Sequence, residues 1–100
     1  MSPRERHIVL SADAENDLAD ILQYTLETWG PRQMKFYAVK LDAGLSAIAG
    51  QPKIGTTRDD LFPGCRSQPI EEHVVFYDAD DREIRVARVL HKRMNVRLYL

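Results

Sequence analysis

The dipeptide Gly30-Pro31 constrains this chain more than any other feature, because it separates two amphipathic stretches and leaves almost no chain between them. On its N-terminal side Leu18, Ile21, Leu22, Thr25 and Trp29 recur at helical spacing, while Asp17, Asp20, Gln23 and Glu27 fall mostly elsewhere. Ser11 stands before this stretch as an N-cap, and Asp13 and Glu15 place negative charge at the positive end of the helix. On the C-terminal side Met34, Ala38, Leu41, Leu45 and Ile48 alternate in fours and threes, which predicts a helix over about Pro31 to Ala49 with Tyr37 beside the stripe. Glycine suits the left-handed position that ends a helix, and proline fits a first helical turn, where its missing N–H costs nothing. A junction this short implies an antiparallel helical hairpin. Gly44 weakens the second helix by about 1 kcal/mol relative to alanine without breaking its period. Gly50-Gln51-Pro52 ends it, and residues 52–64 read as an irregular connection.

The remaining chain has strand character. His7 to Leu10 is a short β-prone run, and Cys65–Ile70, His73–Tyr77 and Glu83–His91 follow the helices. Asp78-Ala79-Asp80-Asp81 is a turn of the right length for an antiparallel hairpin. In the last strand Ile84 and Val86 share one face but Val89 falls on the other, so a bulge, or a strand covered on both faces, is required. Pro69 lacks a ladder donor and belongs at an edge or a bulge. The expectation is one α+β domain over residues 1–100, in the order β-α-α-β-β-β, with the helical hairpin packed on one face of a small, mainly antiparallel sheet.

Several function classes lose their footing at this stage. No apolar run approaches the roughly 20 residues of a membrane span, and Met-Ser-Pro-Arg-Glu-Arg has no apolar stretch of a secretory signal, so a cytoplasmic protein is expected. Cys65 is the single cysteine, which excludes an internal disulfide and a cysteine zinc cage and suits small-residue packing. No metal and no cofactor is expected: histidines lack partners at ligand spacing, and the Gly50–Gly55 segment is interrupted by Pro52 and lacks a Lys-Ser/Thr ending. Ser46 and Ser67 have no evident base, so no catalytic nucleophile stands out. His73 and His91 titrate in the range for acid–base work, but each also reads as a sheet histidine packed on its neighbours. The net charge of −1 argues against a general nucleic-acid surface, yet it is polarised. Residues 82–100 hold six basic residues against Glu83 alone, a balance of +5 that leaves −6 for residues 1–81. Such a field steers an acidic partner or a phosphate backbone.

Several separated blocks then fall in a telling order. They are Arg66-Ser67-Gln68-Pro69-Ile70, His73-Val74-Val75-Phe76-Tyr77, Ile84-Arg85-Val86-Ala87-Arg88-Val89-Leu90-His91 and Arg93-Met94-Asn95. Upstream, Leu10-Ser11, Trp29-Gly30 and Pro52 with Gly55 agree with the same pattern. The chain resembles, over nearly its whole length, the ParE toxins of the RelE/ParE superfamily. It departs from their usual pattern at Cys65, Gln68, Asp78 and Asn95.

That resemblance implies the toxin component of a type II toxin–antitoxin system. The superfamily divides into RelE-like proteins that cleave mRNA in the ribosome and ParE-like proteins that poison DNA gyrase. The first class requires a cationic cluster for the scissile phosphate and groups to move protons. Here only Arg66 is cationic in the matching strand, His73 stands where an arginine would contact phosphate, and Tyr99 is a weak match to the terminal tyrosine. The resemblance therefore implies a gyrase inhibitor acting by binding, without catalytic residues. Its target-binding candidates are Arg66, His73, Arg85, Arg88, His91, Lys92, Arg93 and Arg97; Arg88, mid-strand among apolar residues, also reads as an ion-pair partner for an acid on the first helix. A ParD-like antitoxin is the implied partner, with DNA contacted only through it. Leu18, Leu22, Tyr24, Trp29, Phe36, Tyr37 and Val39 are the candidates for a hydrophobic groove that receives it, although Trp29 also reads as a pin for the helix junction. An mRNA endonuclease and an inactive toxin acting as antitoxin corepressor are the alternatives.

Overall fold

The computed structural model describes residues 6–100; residues 1–5, part of the segment read above as lacking a secretory signal, lie outside the described residues. The elements are β1 (His7–Leu10), α1 (Ala12–Trp29), α2 (Pro31–Gly50), β2 (Thr56–Thr57), β3 (Arg66–Ile70), β4 (His73–Ala79) and β5 (Glu83–His91), followed by a 3₁₀ turn at Val96–Leu98. Ser11 caps α1 as its sequence position implies, accepting from the Ala14 N–H at 2.9 Å. Its hydroxyl also donates to the Ala87 carbonyl at 2.7 Å, so one side chain starts the helix and anchors it to β5.

Gly30 ends α1 and starts α2 with φ 92° and ψ 173°. This is an extended conformation at positive φ, open essentially to glycine alone, rather than the left-handed helical one that the sequence suggests. It turns the chain through the hairpin within one residue, and its N–H still closes α1 on the Leu26 carbonyl at 2.9 Å.

Among the described residues the sheet has five strands in the order β1-β5-β4-β3-β2. β1 runs parallel to β5, and the other pairs are antiparallel. The extra strand corrects the reading of residues 52–64 as wholly irregular: Thr56 and Thr57 pair with Ser67 and Arg66. Two residues are too few for a period to show in sequence. Because β2 reaches only these two, Pro69 faces no strand on that side, and it sits at an open edge as its missing donor demands. The slip in β5 is a bulge. Phe76 pairs with Arg88 and Tyr77 with Val86, so Ala87 is the extra residue and Val89 returns to the core of Ile84 and Val86.

Both faces of the sheet are covered. The helical hairpin buries Ala14, Leu41 and Ile48 against Ile70, Val75, Tyr77, Ile84, Val86 and Val89. Gly44 permits this approach, since an added Cβ would stand within 3.0 Å of three Ile70 side-chain carbons. On the other face Cys65, Phe76 and Leu90 lie beneath Leu61, Phe62, Val96 and Leu100, supplied by the connection and the C-terminal tail. Tyr77 fixes the start of that connection by donating to the Pro52 carbonyl at 2.8 Å and accepting from the Gly55 N–H at 3.1 Å. Among the described residues no helix is long and apolar enough to cross a membrane.

Candidate target and partner surfaces

The basic residues of the sheet are mostly held from within. β1 pairs with β5 only as far as Val86, which leaves the rest of that edge of β5 without a strand. Asp17 of α1 fills the gap: it accepts from the Val89 N–H at 2.9 Å and from Arg88 Nε and Nη2, both at 2.8 Å. The pair is largely buried, at 17% and 13% side-chain exposure, and the guanidinium also lies 5.3 Å from the Tyr99 ring centre. The bidentate carboxylate holds the Arg88 pKa up. Of its two sequence-level roles, Arg88 fills the structural one.

Arg66 directs Nη1 to the carbonyls of Gly55 at 2.6 Å and Lys53 at 3.3 Å, stitching the connection to β3. Arg85 is ringed by Asp78, Asp80 and Glu83 at 2.9, 2.8 and 3.1 Å. The backbone N–H groups of Arg82 and Glu83, together with Arg85, push the Asp80 carboxyl down to about 2. The Arg85 cluster therefore orders the β4–β5 turn. A recess of about 700 Å³ beside it is lined by Lys53, Arg66, Asp80 and Asp81 among others, at the opposite end of the hairpin from His73 and His91.

The tail is different. Lys92 meets Glu72 at 2.6 Å and Arg97 meets Asp60 at 2.9 Å, both as exposed pairs that water screens. The Arg93 side chain makes no ion pair or hydrogen bond among the described residues; only its backbone N–H is engaged, on His91 Nδ1 at 3.1 Å. These three cations project from the segment after β5, and Val96 and Leu100 anchor that segment to the sheet.

His73 and His91 are cross-strand partners with ring centres 5.3 Å apart at 85°. Tyr37 of α2 reaches His73, its hydroxyl 2.5 Å from Nδ1, and accepts from the Glu72 N–H at 3.2 Å. Burial, with the neighbouring His91, lowers the His73 pKa, and burial raises that of Tyr37. The two histidines floor an open cleft of about 260 Å³ between the hairpin and the ends of β4 and β5, walled by Tyr24, Trp29, Gln33 and Tyr37. Trp29 and Tyr24 are 70% and 66% exposed.

This geometry regroups the sequence-level candidates. Tyr24, Trp29 and Tyr37, read as partner-binding, share one cleft with His73 and His91, read as target-binding. Phe36 and Val39 are exposed on the hairpin but do not line this cleft, and Phe36 packs against the Lys40 ammonium at 5.2 Å. A helix turns about 100° per residue, so neighbours of Tyr37 in sequence point away from it. Leu18 and Leu22 are partly buried against the core, beneath the surface rather than on it. Sequence reasoning passed over Gln33, one turn before Tyr37, and Glu72, whose turn position carried no periodic signal. Burial pushes the Cys65 thiol up to about 11, which leaves it unreactive near neutral pH. Among the described residues no three His, Cys, Asp or Glu side chains are grouped to hold a metal.

Comparison with known proteins agrees with this architecture. Residues 8–96 match the family model for the ParE toxin of type II toxin–antitoxin systems. Toxin ParE1 of Caulobacter vibrioides is 40% identical over 91 residues, covering 91% of this chain and 94% of the relative. Toxin ParE of Escherichia coli is 34% identical over 89 residues, covering 88% of this chain and 86% of the relative. A chain of the chromosomal ParDE system of P. aeruginosa shares the fold with a TM-score of 0.72 at 17% identity, over 87% of this chain and 96% of that one. A chain of the RelBE2 toxin–antitoxin complex of Mycobacterium tuberculosis superposes with a TM-score of 0.64 at 17% identity, over 89% of this chain and all of that one. The chain belongs to the ParE toxin family of type II toxin–antitoxin systems.

Proposed function

We propose that this toxin acts in the cytoplasm by binding DNA gyrase, without covalent chemistry of its own, and is neutralised by a ParD-like antitoxin seated on the helical hairpin. DNA is reached only through the antitoxin. One observation carries the choice of binding over mRNA cleavage: among the described residues the cleft holding His73 and His91 is lined by Glu72 and by no lysine or arginine. A ribonuclease of the RelE kind must grip a scissile phosphate with cations while protons move. Arg66, Arg85 and Arg88 are each engaged by carbonyls or carboxylates elsewhere. Lys92, Arg93 and Arg97 remain as an exposed basic tail suited to a surface contact. Exposed Trp29 and Tyr24 are the kind of aromatic anchors a partner's helix covers.

The test is gyrase supercoiling and DNA cleavage with the purified protein, with and without antitoxin, beside a ribosomal mRNA-cleavage control. Inhibition with trapped cleaved DNA, relieved by antitoxin, is the expected result. Codon-dependent mRNA cuts with intact gyrase activity would overturn it in favour of His73 and His91 as acid–base groups. Silence in both assays would overturn it in favour of a corepressor role.

A further inference from the structure

Both histidines of the cleft have Nδ1 engaged in a hydrogen bond, which leaves Nε2 to meet what the cleft receives. His91 Nδ1 accepts from the Arg93 backbone N–H at 3.1 Å, so the neutral ring carries its proton on Nε2. His73 Nδ1 faces the Tyr37 hydroxyl, whose oxygen already accepts from the Glu72 N–H. With the Glu72 N–H on one lone pair, a phenol that donates to Nδ1 leaves the neutral His73 ring with its own proton on Nε2. Neither Nε2 has a hydrogen-bond partner among the described residues. No buried side-chain nitrogen or oxygen there is left unsatisfied, so both Nε2–H groups reach the surface. The two rings stand with their centres 5.3 Å apart beside Trp29, Tyr24 and Tyr37, each with an Nε2 free of a protein partner among the described residues.

We infer that this cleft binds a carboxylate, carried on an aspartate or glutamate side chain of the antitoxin segment that covers the hairpin. The occupant rests on the proposed antitoxin partnership; the carboxylate chemistry does not. A cleft of about 260 Å³ takes one side chain and its apolar neighbour. The charge balance admits a carboxylate. Glu72, the one carboxylate lining the cleft, is neutralised by Lys92 at 2.6 Å, and Arg93 stands next to them in sequence with no side-chain partner among the described residues. Glu71 is the other acid of the β3–β4 turn, and no charged residue of α1 or α2 lines the cleft.

A bound carboxylate also favours the imidazolium form of His73. A proton on His73 Nδ1 meets a hydroxyl that rotates to accept it. Affinity therefore rises as pH falls from 8 towards 6.

Trp29 is the single tryptophan, so its fluorescence reports the cleft directly. The probes are 3-phenylpropanoate and its uncharged isostere 3-phenylpropanamide. The carboxylate should alter Trp29 emission and bind at least ten-fold tighter than the amide, tightening several-fold between pH 8 and pH 6. His73→Gln keeps an outward N–H donor and should bind at pH 8 while losing the pH dependence; His73→Leu should lose binding at both. Equal binding of the two probes, or no binding of either, overturns the site. Full-length antitoxin should displace the probe and show the same pH dependence. Antitoxin that binds tightly but leaves the probe in place overturns the occupant while leaving the toxin–antitoxin partnership intact. Failure of the antitoxin to bind at all overturns the partnership itself, and the probe measurements still decide the site.

Discussion

The two faces of the sheet solve the same problem by different means. One is buried by a helical hairpin whose apolar stripe continues for nearly forty residues, the other by a loop and a tail that contribute Leu61, Phe62, Val96 and Leu100. Helices cover a face as rigid bodies with internal hydrogen bonds, whereas a loop covers it through a few side chains on backbone tied down piecemeal. The helical side should therefore resist cavities poorly and the loop side should relax around them. The largest expected effect is Ile84→Ala beneath the helices, about 3–4 kcal/mol by urea denaturation. Leu90→Ala beneath the tail should cost about 2 kcal/mol, because Val96 and Leu100 can settle into the space. Equal losses would break the comparison and show the tail side to be as rigid as the hairpin side.

The seam between the two regimes is Asp17. It stands on the helical side yet satisfies the open edge of β5 and the Arg88 guanidinium, with Tyr99 of the tail stacked beyond. Asp17→Ala leaves a largely buried cation and a strand N–H without an acceptor, which should cost about 2–3 kcal/mol given the residual exposure of the pair. Asp17→Asn retains acceptors and should cost less. If both variants melt like the parent, the carboxylate contributes no net stability.

A smaller effect belongs to His73, where the hairpin meets the sheet ends. Its folded pKa is depressed below 6.5, so between the two values the unfolded chain binds more protons than the folded one. The contribution is fully present above pH 6.5 and is lost as pH falls through the folded value. Stability should thus decline below about pH 6.5 in excess of the parent's other acid losses, and His73→Gln should flatten that component in a pH series of denaturant midpoints. A decline unchanged in His73→Gln would assign it to carboxylates instead.

What was legible in the sequence follows the same division. Periodicity, the Ser11 cap and Gly30-Pro31 disclosed the hairpin, and the broken alternation from Val86 to Val89 left a bulge as one of two readings, which the register decides. The β2 strand and the cover over Cys65 and Phe76 stayed hidden, because two paired threonines and four scattered apolar residues carry no period. Around the candidate site, Trp29, Tyr37, His73 and His91 were each legible as conspicuous residue types, but their meeting was not. Tyr37 and His73 are 36 residues apart and join only once α2 lies across the sheet. Phe36 and Val39, drawn into the same groove, lie on the hairpin surface outside this cleft, because the turn of the helix carries them away from Tyr37.

The smallest expected effect on stability separates function from fold most sharply. Lys92, Arg93 and Arg97 are exposed, and the ion pairs of Lys92 and Arg97 are screened, so the triple alanine variant should keep the parent's melting temperature. Gyrase inhibition should fall by at least ten-fold in the same variant, because its basic tail presents the positive field that the internally paired arginines cannot. Arg85→Ala supplies the contrast: its guanidinium is committed to Asp78, Asp80 and Glu83, so its loss should loosen the β4–β5 turn and leave inhibition within a few-fold of the parent. Should Arg85→Ala abolish inhibition while the tail variant retains it, the target surface lies at the hairpin turn, and the exposed cations serve only solubility.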